Sequence, residues 1–221
     1  MALTKPDGSS WELADGERKL SLRATLPGAR VFDLAAEALR EAKRAGLPVA
    51  ERLVLALPAS WCVNSPADSR ILRRWTLPPQ RPVWELLVEL FEEPHTGPLE
   101  PESRDALLTA LAAIAPEPRG VEAVTKVLAL LVPHVVPLLP RPAVTFLFGA
   151  DTPHDAHAFV AAVDWFAAAV EQEREVLQGW AASHREAALD AAQVLDRLLW
   201  FDSEGHAHFP ATAGSGARSP S

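Results

Sequence analysis

The chain has 221 residues, 48% of them hydrophobic, and a formal net charge of −8, which is enough to bury a substantial core in one domain or two small ones without disulfide staples. Cys62 has no second cysteine to pair with, so an intrachain disulfide is excluded and a reducing, cytoplasmic setting is expected. Apolar runs are all cut by proline or charge well short of the roughly 20 residues that span a bilayer, and the first residues lack the basic-then-apolar pattern of a secretory signal, so neither membrane insertion nor export is expected.

In chain order, Trp11 and Leu13, then Leu20, Leu22 and Ala24, alternate with polar neighbours, and Asp15-Gly16 between them favours a turn with positive φ. That pattern predicts a β-hairpin over Ser10–Thr25. From Val31 the period lengthens: Val31, Leu34, Ala35, Ala38, Leu39 and Ala42 fall on one helical face, and Gly46 stands where a helix would stop. Residues 51–58 are an apolar run too short to reveal its period. Pro48 in the first turn and Glu51 behind it favour a helix ended by Pro58, whereas a strand there would make the first sixty residues a β-β-α-β unit.

Beyond residue 60, proline punctuates helices. Ser65-Pro66-Ala67-Asp68 supplies a cap, a first-turn proline and an acid, opening a helix to about Trp75, and Arg81-Pro82 and Glu100-Pro101 open two more. Their expected inner faces are Val83, Leu86, Leu87, Leu90 and Phe91, and Ala106, Leu107, Ala110, Leu111 and Ile114. Gly120 precedes a helix over Val121–Val132, and a shorter one is expected over Pro142–Phe148. Phe159, Val163, Phe166, Val170, Leu177 and Trp180 form one long seam, and after a break near Ser183 a second seam runs from Ala188 to Leu199. Together the two seams predict a C-terminal helical hairpin. The fold expected is mainly α: a compact multi-helix domain over 1–204 with a short N-terminal β-hairpin, the alternative being a sub-boundary near 150–154, followed by a disordered tail over 205–221.

The segment Gly120-Val121, Val124-Thr125-Lys126-Val127-Leu128, Leu131, Pro133 and Val136-Pro137-Leu138-Leu139 resembles the core of a bacterial family of unknown function, itself similar to a helix-hairpin-helix element. Echoes follow the same order at Phe32-Asp33, at Leu53–Ala56 and at Val194–Trp200. A bacterial source also suits the excess of arginine over lysine, 17 to 4. A working helix-hairpin-helix element holds a DNA phosphate on the amides of a Gly-x-Gly turn; here Glu122 replaces the second glycine, and a carboxylate repels phosphate. Pro140-Arg141 also stands where family members carry an aspartate. The resemblance therefore implies helical architecture more than DNA binding, and it transfers no catalytic residue.

Three groups of residues invite chemistry. Arg119, Gly120 and Lys126 surround a helix start whose free amides favour a phosphate, and Arg70, Arg73 and Arg74 beside Trp75 form the densest positive cluster, suited to an acidic partner or single-stranded nucleic acid. His154 and His157, three residues apart, with Asp164 farther along, offer three ligands to a metal. Each also has a plain reading: a glycine that turns the chain, a solvated arginine face, a polar first turn of a helix. Cys62 and the serines lack any partner base in sequence, and the seven tryptophans serve either a core or a docking surface.

These observations favour a non-catalytic module with no cofactor, which binds another protein or itself. Nucleic-acid or phosphate binding comes second, because residues 101–221 carry 15 acids against 8 bases and binding phosphates calls for a basic footprint. A metal-dependent enzyme built on His154 and His157 comes third.

Overall fold

The computed structural model describes residues 2–61, 75, 77–92, 97–116, 118–183 and 189–204. The protein is mainly α. Strands β1 (Ala2–Thr4) and β2 (Ser10–Glu12) pair antiparallel with Leu3 opposite Trp11. Ten α-helices follow among the described residues: α1 (Gly16–Ala24), α2 (Pro27–Arg44), α3 (Val49–Trp61), α4 (Arg81–Leu90), α5 (Pro101–Ile114), α6 (Pro118–Leu131), α7 (Arg141–Phe148), α8 (Ala156–Gln172), α9 (Arg174–Ser183) and α10 (Ala191–Ser203). The expected helix between Ser65 and Trp75, with Cys62, Arg70, Arg73 and Arg74, lies outside the described residues apart from Trp75, as does the expected tail.

The hairpin exists, but one turn earlier in the chain than its pattern predicts. Its bend is Lys5–Ser9, where Gly8 takes φ +82° and the Asp7 carboxylate accepts from the Ser9 amide at 2.9 Å. Asp15 does adopt positive φ, at 54°, yet as the entry to α1 rather than as a strand-to-strand turn. The alternation of Leu20, Leu22 and Ala24 is overridden because Gly16, Leu20 and Arg23, spaced by four and three, are the residues α1 buries. Gly16 is required there, since a Cβ would lie 2.5 Å from the Trp180 ring. Three side-chain donors and one amide hold the hairpin to the helices: Trp165 Nε1 to the Thr4 carbonyl at 2.8 Å, Lys5 Nζ to the Phe146 carbonyl at 2.6 Å, Trp11 Nε1 to Asp202 at 2.8 Å and the Asp7 amide to the Leu147 carbonyl at 3.2 Å.

Residues 51–58 are helical, and the helix passes through Pro58 to Trp61 instead of ending there. Proline removes one N–H, and the carbonyl it leaves without a donor belongs to Val54. Val54 is 56% exposed, so solvent has access to that side of the helix. The long C-terminal seam is likewise two helices, broken at Glu173 between α8 and α9.

Two helices form the interior. On α6, the residues from Val121 to Leu131 are buried with the sole exception of Glu122, and the helix packs against α2, α3, α5 and α8. The first nine residues of α10 are buried, and it packs against α1, α7, α8 and α9. A capping box fixes the start of α10: Asp190 accepts from the Gln193 amide at 2.8 Å while Gln193 accepts from the Asp190 amide at 3.1 Å. Each large aliphatic side chain buried on these helices contributes roughly 1.5–3 kcal/mol. Among the described residues no helix is long and apolar enough to cross a membrane.

Candidate functional site

Lys126 and Glu122, one turn apart on α6, bring their side chains together, with Lys126 Nζ 2.8 Å from Glu122 Oε1. His154, just ahead of α8, reaches the same carboxylate, its Nδ1 3.8 Å from Glu122 Oε2. Two residues that the sequence suggests for separate chemistries therefore share one acid. Burial holds the His154 imidazole below its ordinary pKa; Glu122 opposes that shift, while Lys126 and Arg141 reinforce it. Its Nε2 is buried with no hydrogen-bond partner.

This arrangement does not resemble a phosphate cradle. Lys126 is only 3% exposed and lies eight residues beyond the start of α6, so it does not reach the free amides of that end. Gly120 serves packing, since a Cβ would come within 2.9 Å of Ala115 Cβ and 3.0 Å of Ala115 Cα. The side chain of Arg119 lies outside the described residues. Nor are the three suggested metal ligands assembled. Asp164 accepts from the Leu99 amide at 2.7 Å and from Arg104 Nη2 at 2.5 Å, which staples α5 and the segment ahead of it to α8. His157 is exposed. Among the described residues no group of three His, Cys, Asp or Glu side chains is placed to hold a metal ion.

A second set of charges, not singled out by the sequence, lies where α1, α2 and α10 meet. Asp33 receives Arg23 Nη1 at 2.7 Å on one oxygen and Arg197 Nη2 at 3.0 Å on the other. Next to Arg197, Asp196 accepts from the Leu138 amide at 2.6 Å. Burial pushes the Asp196 carboxyl up to about 6, although that hydrogen bond and the nearby Arg23 and Arg197 pull it down. Arg23 also lies over the Trp200 ring, 5.4 Å from its centroid. This cluster joins α1, α2 and α10. Compared with known proteins, the chain matches no family model, no curated protein and no solved structure.

The remaining candidate is a surface. Among the described residues the exposed large hydrophobic side chains are Val31, Leu34, Val54, Leu55, Leu77, Leu86 and Val176. All but Val176 lie on α2, α3, α4 or just ahead of α4. Val31, Leu34 and Leu86 are expected from the sequence to face a core. The structure keeps Leu39 of α2 and Leu87 of α4 inside as expected, but turns Phe32 and Ala36 of α2 and Trp84 and Val88 of α4 inward in place of Val31, Leu34 and Leu86. Both helices are apolar on two adjacent sides, and packing uses the side that carries the aromatic ring. Between α3 and α4 lies an open groove of about 540 Å³, lined by Leu47, Pro48, Val54 and Leu55 and flanked by Glu51, Glu85 and Arg81.

Proposed function

We propose that this chain is a non-catalytic, cytoplasmic protein-binding module, and that its docking face is the α3–α4 groove with the bare apolar side chains around it. The concentration of exposed Val and Leu on α2–α4 carries this reading, because leaving each of them in water forgoes roughly 1.5–3 kcal/mol, and solvent-facing apolar groups of this kind mark partner surfaces when they gather. The occupant we infer is a basic amphipathic helix from another protein. Its apolar side would cover Val54 and Leu55, and its lysines or arginines would face Glu51 and Glu85. A second copy of a chain of net charge −8 suits the groove less well, since like-charged bodies repel. The buried polar clusters support a non-catalytic reading, because their charges are matched to one another within the fold rather than aimed into the groove.

A fluorescent helical peptide of alternating Leu and Lys faces tests this by anisotropy. Binding to the wild type, loss of binding in the Val54→Asp/Leu55→Asp double variant, and no binding of the Leu/Glu counterpart are the expected results. Equal binding by wild type and variant, or a wild-type dimer in sedimentation that the variant lacks, would replace the basic helix with another occupant.

A further inference from the structure

The other buried cations among the described residues have carboxylates: Arg23 and Arg197 share Asp33, and Lys126 meets Glu122. Arg52 does not. It is 5% exposed, on the inner side of α3 with Leu53, Ala56 and Leu57. Among the described residues no acceptor lies within hydrogen-bond reach of its guanidinium, and its Nε is sealed from solvent with no partner. Nη1 and Nη2 lie beyond it at the end of the side chain, the fork by which a guanidinium takes an oxyanion. A buried guanidinium without a counter-charge is costly, and natural structures supply one.

The backbone beside Arg52 adds to the argument. Arg52 is the fourth residue of α3, a helix of 13 residues. Side chains on an α-helix lean toward its N-terminus and cover the turn before their own Cα, which carries the guanidinium toward the opening turn at Val49. The first amides of a helix lack acceptors within it and carry the positive end of its dipole. The Glu51 and Arg52 amides both turn back to the Pro48 carbonyl, at 3.1 and 3.0 Å; those of Val49 and Ala50 precede the first such bond. Glu51, the acid of this turn, lies on the groove side of the helix, about 100° around from Arg52.

We propose that Arg52 and the opening turn of α3 form a binding site for a small oxyanion: a phosphate, sulfate or carboxylate group taken end-on by the guanidinium fork with help from the free amides. The site adjoins the docking groove, since Pro48 and Ala50 of the same turn line that groove, but it rests on Arg52 and not on the apolar side chains Val54 and Leu55. A phosphoryl group and a carboxylate share this recognition chemistry, and the test separates them.

Thermal unfolding of the full chain would be followed with inorganic phosphate, methyl phosphate or acetate, against sodium chloride at matched ionic strength. Phosphate near ten times its dissociation constant should raise the wild-type Tm by about 3 °C. Arg52→Met should show no anion-specific rise, and without anion it should be at least as stable as wild type. Protection by phosphate and methyl phosphate but not by acetate assigns a phosphoryl ligand, and equal protection by acetate assigns the wider carboxylate class. Broadening of the ³¹P line of inorganic phosphate by the wild type gives a readout that does not require the variant to fold. A wild type that responds to phosphate no more than to chloride and leaves the ³¹P line sharp would overturn the site, as would an Arg52→Met chain with the same phosphate response as wild type.

Discussion

The seam around α10 and the face around α3 treat charge and apolar surface in opposite ways. At α10, Arg23, Asp33, Asp196 and Arg197 are drawn inside and matched to one another or to a backbone amide, while the apolar residues around them are covered. At α3, Arg52 is inside without a match and Val54 and Leu55 are outside without a cover. A matched cluster accounts for itself as architecture. An unmatched one leaves a definite requirement, an anion for Arg52 and an apolar partner for Val54 and Leu55, and a requirement of that kind is evidence about function where matched charges are not.

The comparison is broken most severely by removing one partner from the matched seam. Arg197→Ala leaves Asp33 with half its counter-charge and Asp196 with Arg23 as its remaining neighbouring guanidinium, and should cost about 3–5 kcal/mol in urea unfolding. A loss under 1 kcal/mol would mean that solvent already solvates the seam. Arg52→Met, at α3, should cost nothing comparable.

The second effect is a pH dependence with a worked sign. Folded Asp196 holds its proton up to about 6, against an ordinary 3.8, so between those values the folded chain binds more protons than the unfolded one. Stability contributed by this group is therefore present below about pH 4 and falls as pH rises to 6, by roughly 3 kcal/mol in all. Asp196→Asn should abolish that slope and retain the bond to the Leu138 amide. His154 works the other way: its folded pKa lies below the ordinary 6.5, so acidification below that value favours the unfolded chain. Urea midpoints from pH 4 to 7 in the two variants, Asp196→Asn and His154→Gln, separate the contributions, and parallel curves in wild type and Asp196→Asn would contradict the assignment.

Smaller effects sharpen the same contrast. Gly16→Ala places a methyl against the Trp180 ring and should destabilise by about 1–3 kcal/mol through overpacking, a calorimetric shift that the exposed helical Gly179, with open space at its Cβ position, would not show. Leu34→Gln, on the bare face, should stay within about 0.5 kcal/mol of wild type. A larger loss would show that Leu34 is covered in solution and would weaken the docking face.

Much of the architecture is legible in the residues. Proline at the start of α4, α5 and α7 and the three-to-four spacing on α6 and α10 specify helices directly, because a missing N–H and a periodic apolar stripe act within one segment. The segments that carry the family resemblance, Val124–Leu128 and Val194–Trp200, fall on the two innermost helices, as apolar patterns would. The site residues were less legible. Lys126 and His154 stand out in the sequence, but their shared Glu122 shows there only as a departure from a phosphate-binding turn, since its partners come from one turn and from 32 residues away.

What the sequence by itself determined is the helical character of most segments beyond residue 80 and roughly where they start, since capping, proline and periodicity are local energies; the helix at Gly16–Ala24 formed against its local alternation. Which of two apolar sides of α2 and α4 goes inward, and whether Arg23, Arg52 or Arg197 finds an acid, was decided only by tertiary structure. Those outcomes depend on side chains tens to hundreds of residues apart competing for the same interior volume, and no local pattern records the result of that competition.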